Sequence, residues 1–357
     1  MDAILKTWAD RIRSAASDRL PLQIRGGGSK DFYGNIPHGQ LFDTRVYRGI
    51  VSYEPTELVI TARCGTPLAE IEAALAEKNQ VLAFEPPHFS SADSGSSATL
   101  GGCVAAGLSG PRRLQVGPLR DFVLGTRLLD GQGRVMDFGG QVMKNVAGYD
   151  ISRLLAGSLG ILGVIAEVSL KVLPKPMAEA TLRLEVDEAR GLQLMNQWRG
   201  QPLPISATAW HQDVLSVRLS GARAAVEAAS RQLGGSPIDA PQAQLFWSDL
   251  REQQLAFFST GDEPLWRLSL PANCAPLDLG DTLVEWSGGL RWLRCDLAPG
   301  MVRATAAELG GSATLFRGKT DSAFAPLPDS LMLLHRRLKQ QFDPAGIFNP
   351  GRLYPDL

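Results

Sequence analysis

The chain has 357 residues, 44% of them hydrophobic and 20% charged, with 36 Lys and Arg against 37 Asp and Glu and a net charge of −1. This composition excludes disordered and fibrous classes, and the length suits about two domains or one large elaborated domain. Balanced charge leaves no overall basic field for nucleic acid or an anionic membrane, so partners must be argued from sites.

The opening MDAILKTWADRIRSAASDR sets Ile4, Leu5, Trp8 and Ile12 among charges, the pattern of a surface helix and not of a signal peptide. A short strand ending at Ile24 then runs into RGGGSK at 25–30. GIVSYEP and ELVITARCG read as strands. TPLAEIEAALAEKNQ reads as a helix, with Leu68, Ile71 and Leu75 at helical spacing, a Thr66 cap and Pro67 at the first helical position. From 85 to 113, a stiff Pro-Pro turn leads into Ser, Thr, Gly and Ala with almost no bulk, EPPHFSSADSGSSATLGGCVAAGLSGPRR. RDFVLGTRLLD and RVMDFGG flank GQG as a hairpin. LLAGSLGILGVIA, from Leu154 to Ala166, lies between Arg153 and Glu167 and falls well short of the ~20 residues a spanning helix needs, so it reads as a buried turn and strand. GVIAEVSLKVLP is an alternating strand stopped by Pro174 and Pro176, and LPKP marks a domain boundary.

Beyond Met177, strands such as TLRLEV and VLSVRL alternate with helices such as GARAAVEAASRQLG and QAQLFWSDLREQQLAFF, which predicts a smaller α+β layer. DSLMLLHRRLKQQFDPAGIFNPGR reads as an amphipathic helix followed by a turn-rich tail. Cys64, Cys103, Cys274 and Cys295 form no C-x-x-C pair, so neither a zinc site nor an iron–sulfur run is encoded, and reduced cytosolic thiols are the simplest reading.

RGGGSK allows positive φ angles and backbone N–H groups converging on a phosphate, but triple glycine alone favours a plain flexible turn. A Walker loop is disfavoured because Lys30 does not precede Ser or Thr, and the dinucleotide fingerprint fails because Asp31 stands where glycine is required. The stretch at 85–113 and a third around Gly157, Gly160 and Gly163 are also poor in bulk. Three such segments suggest one long ligand.

RGGGSK, TARCGTPLAEIEAAL, SATLGGCVAAGLSG with GPLRDFVLG, KNVAGYD before GSLGILGVI, and the final DPAGIFNPGR, in that order, resemble the FAD-binding domain of the vanillyl-alcohol oxidase family. Within it, GPLRDFVLG…FGGQVMKNVAGYD…LLAGSLG is similar to the FAD-binding subunits of bacterial glycolate oxidases. The resemblance implies an α+β protein. A PCMH-type FAD-binding domain at 1–176, with subdomains at about 1–82 and 83–176, precedes an α+β cap domain at 177–325 and a helix and tail at 326–357 that return to the FAD domain.

Residue by residue, the resemblance implies that Arg25, Gly26, Gly27, Gly28, Ser29 and Lys30 wrap the FAD pyrophosphate. Pro86, Thr99, Gly101, Gly102, Ala105, Ala106 and Gly110 run beside the flavin and its ribityl chain, and Gly160, Gly163 and Ile165 lie near the adenine and ribityl portions. Lys144, with Asn145 and Tyr149, makes polar contacts, and Asn349 with Pro350 returns to the flavin. Neither histidine nor cysteine occurs in RGGGSK, so FAD is expected to be non-covalent.

Oxidising a 2-hydroxy acid needs a cation for the carboxylate and a base for the hydroxyl proton. His38, His88, His211 and His335 are the only histidines, none paired at ligand spacing, and Arg112 and Arg113 either grip a carboxylate or face water. No catalytic base is assigned. The resemblance therefore implies a flavoprotein subunit beside a sister FAD-binding catalytic subunit and an iron–sulfur subunit, acting on a small 2-hydroxy acid such as glycolate or D-lactate. It would be cytoplasmic, peripheral at the inner face of the membrane through its complex. A self-sufficient FAD oxidoreductase and an interaction subunit with a decayed flavin site are the rival readings.

Overall fold

The computed structural model describes residues 2–91, 95–140, 150–318 and 322–357. They form two compact units, one of residues 1–108, 118–174 and 321–357, the other of 109–117 and 175–320. The boundary between Pro174 and Lys175 falls inside LPKP, whereas Ser109–Gly117, which the sequence reading places within 1–176, belongs to the second unit.

In the first unit, helix Ala3–Asp18 is capped by the Asp2 carboxylate, which accepts Ile4 N–H at 2.9 Å, and ends at Arg19 in the left-handed region. Its buried stripe of Leu5, Trp8, Ala9, Ile12 and Ala15 packs on Phe42, Tyr47, Leu129, Val164, Ile347 and Phe348. An antiparallel sheet runs in the order Ile50–Glu54, Val59–Arg63, Val164–Lys171, Val123–Leu129, Val135–Gly139. This sheet crosses the expected subdomain break at 82/83, because Val59–Arg63 pairs with Val164–Lys171, a long-range pairing no local pattern announces. The GQG hairpin turns on Asp130, fully buried, whose carboxylate accepts Gln132 and Arg134 N–H groups at 3.0 and 2.8 Å.

Two local expectations change. Helix Leu68–Ala76 begins after Pro67, and Thr66 does not cap it; its hydroxyl is spent on the backbone N–H and C=O of Gly49. The low-bulk stretch contains a helix, Leu100–Ala106, in which a side chain on Gly101 would come within 2.8 Å of Cys64 Cβ.

The second unit carries an eight-stranded sheet in the order Ser236–Ile238, Ala178–Glu185, Val214–Gly221, Ile205–His211, Asp281–Glu285, Leu290–Arg294, Leu265–Ser269, Ser312–Arg317. Leu182, Leu215, Val217 and Val284 pack against Leu192, Met195, Trp198 and Val226 of helices Glu188–Arg199 and Arg223–Leu233. Trp266, Leu268 and Leu293 pack against Val302 and Ala306 of helix Pro299–Glu308. Trp247 and Trp266 are both buried, so they are core residues. Among the described residues, no helix is long and apolar enough to cross a membrane.

Candidate functional site

In the first unit, strand Leu22–Arg25 pairs in parallel with Gln40–Asp43 and delivers RGGGSK to the mouth of a cleft. Arg25, Gly26, Gly27, Gly28, Ser29 and Lys30 line it together with Thr99, Gly102, Ala105, Ala106 and Asn349. Pro86, Gly101, Gly160, Gly163 and Ile165 do not line it, Gly110 lies in the second unit, and Lys144, Asn145 and Tyr149 fall outside the described residues. Gln23, Asp31, Ser97, Leu159 and Arg352 line the cleft without having been found in the sequence.

The glycines do two jobs. A Cβ on Gly27 would meet Ser97 O at 1.7 Å and one on Gly26 would meet Thr99 Oγ1 at 2.4 Å, so the first loop lies directly on the second segment. Ser97 N–H donates to Gly27 O at 3.2 Å across this contact. The amides stay open: among the described residues, the N–H groups of Gly26, Gly27 and Gly28 have no acceptor. Gly160 and Gly163 have φ of 76° and 155°, and side chains there would meet Asn349 Nδ2 at 2.8 Å and Leu129 O at 2.6 Å.

Thr99 stands at the start of helix Leu100–Ala106 yet makes no capping bond, and its buried Oγ1 has no hydrogen-bond partner. A buried hydroxyl without a partner is costly, and this one sits in a cleft beside three unused amides. That donor set fits the pyrophosphate and ribityl hydroxyls of a dinucleotide such as FAD.

The cations of the cleft also make contacts within the protein. Arg25 Nε is engaged by Asp31 at 2.6 Å, a half-exposed pair of modest worth. Lys30 Nζ donates to His88 O at 3.2 Å and Ser29 Oγ at 3.3 Å, tying the loop to the second segment. The buried guanidinium of Arg352 donates to the carbonyls of Asn35, Lys30 and Asp31, holding the loop from the tail. Burial lowers its pKa, opposed by the Asp31 charge. Asn349 accepts from Ile24 N–H and donates to Leu159 O, both at 2.7 Å. Beneath it, Lys339 Nζ donates to Ile161 O, Phe348 O and the Asp343 carboxylate.

No histidine lines this cleft among the described residues. His88 Nε2 lies 3.1 Å from Glu72, His211 Nε2 lies 3.2 Å from Asp281 in the second unit, and His335 Nδ1 lies 2.8 Å from Leu331 O on its own helix. Arg112 is paired with Glu179, and the Arg113 guanidinium stacks 4.5 Å from the Trp286 ring centroid, so neither is a plain solvated charge. Burial pushes the thiols of Cys64 and Cys103 up to about 12.

Residues 6–139 match the family described as FAD binding domain. The chain also superposes on alkyldihydroxyacetonephosphate synthase with a TM-score of 0.65 at 15% identity, over 97% of this chain and 75% of that one. The PCMH-type α+β fold is thus in place, and the protein is an FAD-binding flavoprotein. It is 49% identical over 349 residues to glycolate oxidase subunit GlcE of Escherichia coli (strain K12), covering 98% of this chain and 97% of the relative. The chain belongs to the GlcE family of glycolate oxidase subunits. Glycolate oxidase subunit GlcD of Bacillus subtilis is 32% identical over 175 residues, and D-lactate dehydrogenase of Archaeoglobus fulgidus 30% over 171, in each case across 36% of that relative's length.

Proposed function

We propose that this chain is the FAD-binding subunit of a glycolate oxidase complex that converts glycolate or D-lactate to the 2-oxo acid. The carrying observation is the cradle at the loop, where three glycine amides without acceptors face the same cleft as the unpartnered Thr99 hydroxyl. FAD, when bound, supplies a two-electron carrier for electrons taken from the hydroxy acid elsewhere in the complex. The Gly26–Gly28 amides would hold its pyrophosphate, Lys30 and the N-terminal turn carrying Thr99 would flank it, and Asn349 and Arg352 would fix the loop geometry. A sister FAD-binding subunit would carry substrate oxidation and an iron–sulfur subunit would take the electrons onward, since no histidine among the described residues lines the cleft. The complex would operate in the cytoplasm, held peripherally at the inner face of the membrane.

The test is purification of the complex and of this chain alone from one host. The expected result is a flavin spectrum in both, with rapid bleaching by glycolate only in the complex. Rapid bleaching of the isolated chain would establish the self-sufficient reading, and a colourless chain that gains no spectrum with added FAD would establish a decayed site.

A further inference from the structure

The second unit contains a cavity of about 420 Å³ on the sheet face opposite the Leu182–Val217 core. It exists because the floor is built from small residues. Across the ladder, Arg183 stands opposite Ser216, and Ser216 stands opposite Ala209, so the middle of this row is a serine and an alanine. The neighbouring wall comes from Leu283 and His211, and Phe246 with Phe257 contributes aromatic surface. A volume of this size, mostly apolar with a few polar groups, is that of a small-molecule site.

The polar groups are prepared for something other than the protein. Ser216 is 2% exposed, yet its hydroxyl has no hydrogen-bond partner among the described residues. Arg183 stacks over Phe246, 5.8 Å from its centroid, and has no carboxylate or other acceptor among the described residues. His211, by contrast, is held by Asp281 and packs edge-on to Phe257, with ring centroids 5.1 Å apart. A cavity-lining serine hydroxyl and an unneutralised guanidinium at adjacent cross-strand positions are complementary to one carboxylate, and the Phe and Leu surface is complementary to a flat apolar body.

We infer that this cavity binds a small monocarboxylate with an aromatic body, its carboxylate between Arg183 and Ser216 and its ring against Phe246 and Phe257. The site is independent of the flavin reading, since every residue it uses lies in the second unit.

The test is calorimetric titration of the full FAD-loaded chain with benzoate, and with benzyl alcohol as the uncharged counterpart. Benzoate should bind saturably at one per chain. Arg183→Met, at an exposed position, should weaken benzoate at least tenfold and benzyl alcohol less than twofold. Ala209→Leu should fill the floor and remove both. Absence of saturable benzoate binding, or an Arg183→Met affinity equal to wild type, would overturn the inference. So would loss of benzoate binding in Thr99→Val with retention in Arg183→Met, which would place the ligand in the cofactor cleft instead.

Discussion

The side chain of Asn349 accepts the backbone N–H of Ile24 at 2.7 Å, joining positions 325 residues apart. Its other end donates to Leu159 O, so one amide spans the strand before the glycine loop and the turn behind it. Asn349→Leu removes both bonds and strands two backbone groups, at about 1–3 kcal/mol each. The expected outcome is a Tm several degrees lower together with loss of FAD on gel filtration, read by calorimetry and flavin absorbance.

Thr99→Val should separate stability from affinity. The lost hydroxyl has no protein partner, so the apo protein should hold its stability within about 0.5 kcal/mol or gain slightly. FAD affinity should fall by roughly 2- to 13-fold, the worth of about 0.5–1.5 kcal/mol, and Thr99→Ser should restore most of it. Fluorescence titration of apo protein with FAD measures both variants.

Gly27→Ala places a methyl 1.7 Å from the Ser97 carbonyl, and relief requires moving backbone. A cost of at least ~2 kcal/mol and protein purified without flavin are expected. Gly300→Ala, where a Cβ meets nothing within 4 Å inside helix Pro299–Glu308, should instead be neutral or stabilising by about 0.5–1 kcal/mol. Denaturant unfolding of the two variants in parallel is the check.

Burial raises the folded thiols of Cys64 and Cys103 from 9.0 to about 12. In the unfolded chain they ionise near 9.0, so between these values the native state holds more protons than the unfolded one. Stability from this source is therefore full below pH 9 and declines as pH rises toward 12. A Cys64→Ala, Cys103→Ala double variant should show a flatter alkaline limb in urea titrations. Native protein at pH 8 should leave both thiols unalkylated by iodoacetamide, and acid precipitation should release all flavin to the supernatant.

Lys339→Met should be severe for a reason unconnected with the cleft surface. It would leave the Asp343 carboxylate buried with, among the described residues, only the Ile347 and Phe348 N–H groups as donors, at a cost of about 3–5 kcal/mol. Burial already lowers the pKa of this lysine, against the pull of Asp343. A drop in urea midpoint without change in slope is the expected signature.

Much of the architecture is legible in the sequence where local chemistry decides it. The Leu5–Trp8–Ile12 stripe and the GQG hairpin each follow from spacing or from turn residues. What escapes is non-local. The helix Leu100–Ala106 carries LGGCVAA, with two glycines of poor helix propensity, of which Gly101 is needed for its approach to Cys64. Thr66 looks like a cap until Gly49, in the bend before strand Ile50–Glu54, takes its hydroxyl. Gly110 reads as part of the flavin segment, yet its carbonyl accepts Trp286 Nε1–H at 3.1 Å in the other unit, a bond across 176 residues. Arg352 is one arginine in a turn-rich tail, and only its three carbonyl partners reveal that it holds the glycine loop.

The clasp formed by Asn349 and Arg352 also sets an order in time. The glycine loop of the cleft lies at residues 25–30, but its clasp comes after residue 348, and the intervening chain must already be folded for the two to meet. A nascent chain therefore exposes a glycine loop with open amides and no means of holding it in register. Without the tail, the cleft has its glycine loop but neither the Asn349 nor the Arg352 bonds that hold it in place.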